Sequence, residues 1–145
     1  MISILEEVKG AKTIGISGHV RPDGDCIGAA VAMYLYLHKE VKGAEVKLLL
    51  EHPSDVFACI KGTDKIQKSI DTSEKFDVFM ALDCSGDRMG DADILYANAG
   101  KKINIDHHIS NYGTGDVNYV VPAASSTSEL VYNVIDKDKI DKDIA

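Results

Sequence analysis

The chain has 145 residues, of which 45% are hydrophobic, so it is large enough for one domain with its own core. Its 16 basic and 23 acidic side chains give a net charge of −7, which argues against a duplex nucleic-acid binder. The acidic N-terminus does not fit a signal peptide, and no run of about 18 apolar residues would span a membrane. Cys26, Cys59 and Cys84 form no CxxC pair, so we expect reduced thiols and a cytoplasmic protein.

Apolar periodicity predicts strands that alternate with helices. The predicted elements are a helix at 2–10, a strand at 13–18, a helix at 24–39, a strand at 45–50, a short helix at 54–60 capped by Ser54, a strand at 76–82, a helix at 92–99, a strand at 102–105, an extended segment at 118–121 and a helix opened by Ser126. Ser126 and Glu129 have capping-box spacing, which favours Glu129 as a cap over a catalytic acid. This alternation predicts an α/β fold with an open, mostly parallel sheet and helices on both faces.

Acidic residues and histidines follow three of the predicted strands. His19, Asp23 and Asp25 follow the first strand, Asp83 ends the third, and Asp106-His107-His108 ends the fourth. Open parallel sheets bind ligands at the carboxyl ends of their strands, so we expect one shared site. Clustered carboxylates repel one another unless a cation lies between them, and oxygen and nitrogen ligands suit manganese, magnesium or iron. Asp83 is a candidate bridge between two ions about 3.5–4 Å apart.

Each cluster also has an ordinary structural explanation. Asp83 alone fits a helix cap or turn former, and the segment 22–24 is a common turn sequence. His107 and His108 alone would fit core or surface histidines. Cys26 and Cys84 adjoin the candidate ligands, and we interpret both as small packing residues. The metal hypothesis therefore depends on the occurrence of all three clusters at strand ends.

Four segments, in this order and spacing, resemble the DHH phosphoesterase superfamily, which is named for the Asp-His-His motif at 106–108. The first motif is seen at 19–28, the second at 81–85 with 88–90, the third at 105–111, and the stretch that usually follows at 124–129. The resemblance covers nearly the whole chain. It implies a catalytic domain with the α/β architecture expected from the strand and helix pattern.

The resemblance also implies a set of metal ligands. One ion would be held by His19, Asp23 and Asp83, and a second by Asp25, Asp83 and His107, with Asp83 as the bridge. Manganese is the usual metal of such proteins, with magnesium as the alternative. Two ions are expected in the complete site.

Further residues receive roles by resemblance. His108 would face the substrate phosphate, and Asp106 would orient the neighbouring histidines. Both are therefore candidate catalytic residues. Arg88 and Asn111 are expected to bind the substrate together with His108.

The Pro-Asp-Gly-Asp form of the first motif and the Ser-Ser-Thr-Ser-Glu stretch most resemble the oligoribonuclease and pAp-phosphatase subfamily, whose members are often called exopolyphosphatase-related. The resemblance implies a manganese-dependent hydrolase that uses a two-metal-activated water. Its substrates would be short oligonucleotides or nucleotide phosphates such as 3′-phosphoadenosine 5′-phosphate. A pyrophosphatase or exopolyphosphatase is the alternative within the enzyme class.

The resemblance leads us to expect two more family features, a further metal-binding Asp on a later strand and a C-terminal substrate-binding domain. We therefore expect residues 1–145 to form an incomplete DHH catalytic domain, truncated before the last strand of its sheet and without the C-terminal domain. On this hypothesis, the alternative to an enzyme is a catalytically silent metal-binding fragment that needs the missing part. An unpaired sheet edge would favour a homodimer.

Overall fold

The computed structural model describes residues 2–145, which form strands that alternate with helices. The elements are α1 (Ile4–Glu7), β1 (Thr13–Gly18), α2 (Gly24–Glu40), β2 (Glu45–Leu48), β3 (Val78–Leu82), α3 (Asp93–Ala97), β4 (Lys101–Asp106), β5 (Val117–Val120) and α4 (Thr127–Val134). Short 3-10 turns lie at Asp55–Phe57, Thr63–Lys65, Gly90–Ala92 and Lys137–Lys139. Within residues 2–145, every helix is too short or too polar to cross a membrane.

The five strands form one sheet in the order β2-β1-β3-β4-β5, and every neighbouring pair is parallel. This confirms the predicted open, parallel α/β sheet. The chain adds β2 on one side of β1 and the remaining strands on the other. The carboxyl ends of β1 and β3 therefore flank the point where the strand order reverses, which is where such sheets usually bind ligands.

Side chains of the sheet alternate between two hydrophobic cores, as the period of two in a strand requires. Met80 of β3 packs in the larger core, which α2 and α4 cover. Phe79 and Ala81, its neighbours in the sequence, belong to the smaller core on the opposite face, together with Leu95 and Tyr96. All five residues of β3 are buried, which is typical of a central parallel strand. The prediction of helices on both faces is therefore confirmed.

Two elements in the N-terminal half of the chain are shorter in the structure than the sequence predicts. The helix predicted at 2–10 covers only Ile4–Glu7, although Ile4 and Val8 both enter the core. Gly10 adopts a left-handed backbone with φ of 82°, so the helix ends before it. The strand predicted at 45–50 ends at Leu48.

The helix predicted at 54–60 is wrong, because this segment contains only a 3-10 turn at Asp55–Phe57 and Ser54 makes no side-chain capping hydrogen bond. The cap of α4 was predicted better. Ser126 Oγ accepts a hydrogen bond from Glu129 N, as in a capping box. The Glu129 carboxylate, however, accepts from the backbone and hydroxyl of Ser125, one residue before the predicted partner.

We expect Gly15→Ala to lower the free energy of unfolding by about 1–3 kcal/mol, because a new side chain would overpack the core. A Cβ on Gly15 would lie 2.5 Å from Cε2 of Phe79 and 3.2 Å from Cδ1 of Phe76. Urea denaturation would measure the change. Gly43→Ala is the matched control, because nothing lies within 4 Å of its Cβ, and its effect should stay within about 0.5 kcal/mol. Equal stability of Gly15→Ala and the unchanged chain would contradict this packing.

Candidate metal centre

The loop after β1 aims His19 at the carboxyl edge of the sheet. Its Nδ1 lies 2.8 Å from the Val20 carbonyl oxygen. A carbonyl only accepts hydrogen bonds, so Nδ1 carries the ring proton and Nε2 is free to bind a cation. Nε2 lies 3.2 Å from Asp83 Oδ2 and 3.7 Å from Asp23 Oδ1. Val20 N donates to Arg88 O at 2.9 Å, which ties this loop to the one after β3.

Asp83 lies at the centre of the cluster, immediately after β3, and is only 2% exposed. Its backbone has φ of 65°, a left-handed conformation that Asp tolerates better than most residues. Its two carboxylate oxygens face different histidines. Oδ2 faces His19, whereas Oδ1 lies 3.6 Å from His107 Nε2. This arrangement suits a carboxylate that bridges two cations.

The environment of Asp83 penalises its negative charge. Burial is the main cause that raises the pKa of Asp83 to about 6, and the charges of Asp25 and Asp23 act in the same direction. A hydrogen bond from Thr127 Oγ1 to Oδ1, at 2.9 Å, and the nearby His19 partly oppose the increase. A bound cation would therefore stabilise the charged form of this carboxylate.

Asp25 is held by the first turn of α4. Its Oδ2 accepts from Thr127 N at 2.9 Å, and its Oδ1 accepts from Ser128 N at 2.9 Å and Ser128 Oγ at 2.8 Å. Burial favours a higher pKa for Asp25, but the hydrogen bonds from Thr127 and Ser128 outweigh it and the net pKa is lowered. Asp25 therefore stays charged, and its Oδ2 lies 3.6 Å from His107 Nε2.

Asp106 is fully buried and orders the loop that carries both histidines. Its Oδ1 accepts from His107 N at 2.7 Å, His108 N at 3.2 Å and His108 Nδ1 at 2.6 Å. Its Oδ2 accepts from Asn111 Nδ2 at 2.9 Å. The hydrogen bond to Asp106 is the main cause that raises the pKa of His108, although burial acts in the opposite direction. The His108 side chain is 51% exposed, so its ring is accessible from the solvent.

A cleft of about 290 Å³ opens at this edge of the sheet. It is lined by His19, Asp23, Asp83, Cys84, Ser85, Arg88, Asp106, His108, Ser110 and Asn111. Seven of the nine predicted site residues are therefore among its lining. The other two also belong to the cluster, because His107 Nε2 lies 3.6 Å from Asp83 Oδ1 and 3.6 Å from Asp25 Oδ2. The predicted residues thus form one cluster, although the Asn111 amide points inward to Asn104 and Asp106.

The donor set fits divalent cations. Ligand atoms that bind one ion at about 2.1 Å lie roughly 3 Å apart, so the separations around Asp83 need only small closure. Two groups, His19–Cys26–Asp83 and Asp83–His107–His108, each offer ligand atoms within 4.8 Å of one another. Burial raises the pKa of the Cys26 thiol, so we retain its interpretation as a packing residue.

Three residues that contact the site were not predicted from the sequence to belong to it. Thr127 and Ser128 lie in the family-like stretch 124–129, but they reach Asp25 across more than 100 residues of sequence, so the stretch alone did not indicate this contact. Asn104 donates to Ala81 O and Cys84 O on either side of Asp83. In the sequence, Asn104 stands out as a polar residue inside the apolar strand segment 103–105.

We expect Asp106→Asn to lower the pKa of the His108 ring, because the carboxylate that favours the protonated form is lost. His108 would then lose its charge at a lower pH. The free energy of unfolding should also fall by about 1.5–3 kcal/mol, because the buried Asp106 carboxylate is lost as an acceptor for its hydrogen-bond donors. A pH titration of the ring nitrogens by NMR tests the first effect, with the His38 ring as the unchanged control. An unaltered His108 titration would contradict the proposed coupling.

The comparisons with known proteins agree with this architecture. The profile of the DHH family, N-terminal domain, matches residues 13–145. The chain is 29% identical over 133 residues to a bifunctional oligoribonuclease and PAP phosphatase NrnA of Thermus thermophilus, covering 92% of this chain and 39% of that protein. It is 27% identical over 129 residues to a probable bifunctional oligoribonuclease and PAP phosphatase NrnA of Streptococcus mutans serotype c, covering 89% and 40%.

A similar solved structure is the crystal structure of an exopolyphosphatase-related protein from Bacteroides fragilis, with a TM-score of 0.80 and 28% identity. The match covers 90% of this chain and 41% of that chain. The chain thus spans 39–41% of the length of these three proteins. The family match over residues 13–145 and the parallel sheet lead to one conclusion: the chain belongs to the DHH family and corresponds to its N-terminal domain.

Proposed function

We propose that this chain carries the metal centre of a phosphoesterase that hydrolyses short oligonucleotides or nucleotide phosphates. The observation that carries this proposal is the placement of Asp83, whose two oxygens face His19 and His107 separately. A carboxylate with this placement suits a site of two neighbouring cations. Membership of the DHH family supports the proposal.

The proposed ligand sets follow from the contacts of Asp83. His19 and Asp23 would share one ion with Asp83, and Asp25 and His107 would share the second. Nitrogen and carboxylate ligands without a thiolate suit manganese, with magnesium as the alternative. When bound, such ions supply an activated water and stabilise negative charge on phosphate oxygens.

The chain's own residues would bind and orient the phosphate. His108 faces the cleft with a raised pKa, so its protonated ring can donate a hydrogen bond to a phosphate oxygen. Asp106 fixes the position of that ring through the bond to Nδ1. Arg88 lines the same cleft, and a guanidinium group suits phosphate recognition. The Asn111 amide is turned inward and donates a hydrogen bond to Asp106. Asn111 would therefore contact the substrate mainly through its backbone, while its side chain positions Asp106.

The substrate class comes from the relatives and is consistent with the charge of the chain. Two relatives are named as oligoribonucleases and PAP phosphatases, so short oligonucleotides and 3′-phosphoadenosine 5′-phosphate are the proposed substrates. A net charge of −7 would repel a long polyanion more than a short one. Small phosphate esters therefore fit this chain better than duplex nucleic acid.

Two other candidates each rest on one observation. The similar structure from Bacteroides fragilis is named exopolyphosphatase-related, which favours pyrophosphate or polyphosphate as substrate. The relative rates of pyrophosphate and dinucleotide hydrolysis would distinguish this candidate. A metal-binding module without turnover is the other, favoured by the match to only 39–41% of the length of the relatives.

We expect this chain to release AMP from the dinucleotide pApA with manganese and to lose that activity when manganese is chelated. Asp83→Asn should abolish release, because the shared ligand is weakened while Asn still tolerates the left-handed backbone at this position. Asp55→Asn is the control, because Asp55 is an exposed carboxylate outside the cleft. Release by Asp83→Asn at the normal rate would contradict the proposed centre. Manganese binding without any release would favour the non-catalytic module.

We also expect manganese to stabilise the folded chain, because it relieves the repulsion among buried carboxylates. At a free concentration of about 100 times Kd, the free energy of unfolding should increase by about 2.7 kcal/mol. Thermal denaturation with and without manganese measures this gain. Asp55→Asn should keep the gain and Asp83→Asn should lose most of it. An equal gain in both variants would place the bound manganese elsewhere.

A further inference from the structure

We propose that Asn104 is a positioning residue that holds the two halves of the metal centre in one geometry. This inference rests on the proposed metal-dependent function. Asn104 lies in β4, two residues before Asp106, and is fully buried. A buried amide must find hydrogen-bond partners within the protein, and the partners of Asn104 come from both sides of the site.

The amino group of Asn104 holds the turn that presents Asp83. Nδ2 donates to Ala81 O at 3.0 Å and to Cys84 O at 2.8 Å. Both partners are carbonyl oxygens, which only accept, so the orientation of the amide is fixed. These two carbonyls lie on either side of Asp83, whose φ is 65°. Asn104 therefore closes the turn around the one carboxylate that both ion positions share.

The carbonyl group of Asn104 holds the loop that follows β4. Oδ1 accepts from Asn111 Nδ2 at 3.0 Å, Thr114 N at 3.2 Å and Thr114 Oγ1 at 3.1 Å. Asn111 Nδ2 also donates to Asp106 Oδ2 at 2.9 Å. One short hydrogen-bond chain therefore connects Asn104 to the carboxylate that orders His107 and His108.

Both the amino group and the carbonyl group of the Asn104 amide therefore hydrogen-bond segments that carry site residues. Loss of the amide would remove two hydrogen bonds from the Asp83 turn, leaving the bond from Asp83 N to Ile105 O as its remaining link to β4. It would also leave Asp106 as the only side-chain acceptor of Asn111 Nδ2 among those described. The separation between Asp83 Oδ1 and His107 Nε2, now 3.6 Å, would then be held by fewer hydrogen bonds on each side. Metal affinity should therefore depend on Asn104, although Asn104 itself is not among the proposed metal ligands.

The test compares manganese binding by the unchanged chain, Asn104→Asp and Asn104→Ala, using EPR to measure free manganese. Asn104→Asp keeps the size and the Oδ1 acceptor but faces the Ala81 and Cys84 carbonyls with an oxygen. Asn104→Ala removes both groups without introducing repulsion. We expect the manganese Kd to rise about tenfold to a hundredfold in both variants. Circular dichroism would establish that each variant is folded at the temperature of the measurement.

Asn118→Ala is the matched control. Asn118 pairs with Asn104 in the register of β4 and β5, is exposed, and bonds Gly115 in the same loop. It also hydrogen-bonds the loop after β4 but has no side-chain hydrogen bond to the Asp83 turn. Its manganese Kd should equal that of the unchanged chain. A role of Asn104 in the core alone would lower the thermal midpoint of the metal-free protein and leave the Kd of the folded variants unchanged.

The outcomes separate this inference from the proposed function. No manganese binding by the unchanged chain would contradict the proposed function itself. Normal manganese Kd values in folded Asn104→Asp and Asn104→Ala would overturn only the positioning role. If Asn104→Asp does not fold, Asn104→Ala decides. Failure of both variants to fold would assign Asn104 to the core alone and would likewise overturn the proposal.

Discussion

The buried carboxylate of Asp83 is the constraint on which the rest of the site depends. Taking a carboxylate out of water costs several kcal/mol unless it is paired, and a left-handed backbone at a residue other than glycine costs about 1–3 kcal/mol more. Asp83 has both features, with 2% exposure and φ of 65°. Thr127 and His19 offset part of this cost. A cation between these groups would offset more of the cost of burying the Asp83 carboxylate. Metal binding would therefore explain why a strained, buried Asp stands at this position.

The strand order brings the separate parts of the site together. Since β1, β3 and β4 are adjacent and parallel, their carboxyl ends place His19, Asp83 and Asp106 along one edge of the sheet. The helix α4 packs against α2, and the backbone N–H groups of its first turn donate hydrogen bonds to Asp25. A negative charge near a helix N-terminus also interacts favourably with the helix dipole, and the Asp25 carboxylate lies at the N-terminus of α4. The site is therefore a property of the whole domain and not of one loop.

The sequence predicted the parallel sheet from local patterns, and it placed acidic residues and histidines at strand ends that lie side by side in the structure. Buried parallel strands appear as apolar runs, and polar residues at their carboxyl ends converge by topology alone. The predictions were less accurate where a competing local effect decided the structure. Gly10 shortened α1, and Ser54 did not cap a helix because only one 3-10 turn follows it.

The roles of Thr127 and Asn104 could not be read from the sequence. Thr127 reaches Asp83 across 44 residues, and this contact depends on the packing of α4 against α2 and β4. Asn104 was visible as a polar residue in an apolar strand, yet that pattern does not say which backbone groups it bonds. Contacts of this kind depend on tertiary geometry at the level of single atoms. Sequence periodicity gives the face of a strand but not the partners of a buried amide.

We propose that the cluster around Asp83 binds divalent metal through both carboxylate oxygens of Asp83. The most direct measurement is X-ray diffraction from manganese-soaked crystals at the manganese absorption edge, which locates the ions by anomalous scattering. We expect one peak between His19 and Asp83 and a second between Asp83 and His107. A well-ordered structure with manganese bound only elsewhere, or with none near Asp83, would contradict it.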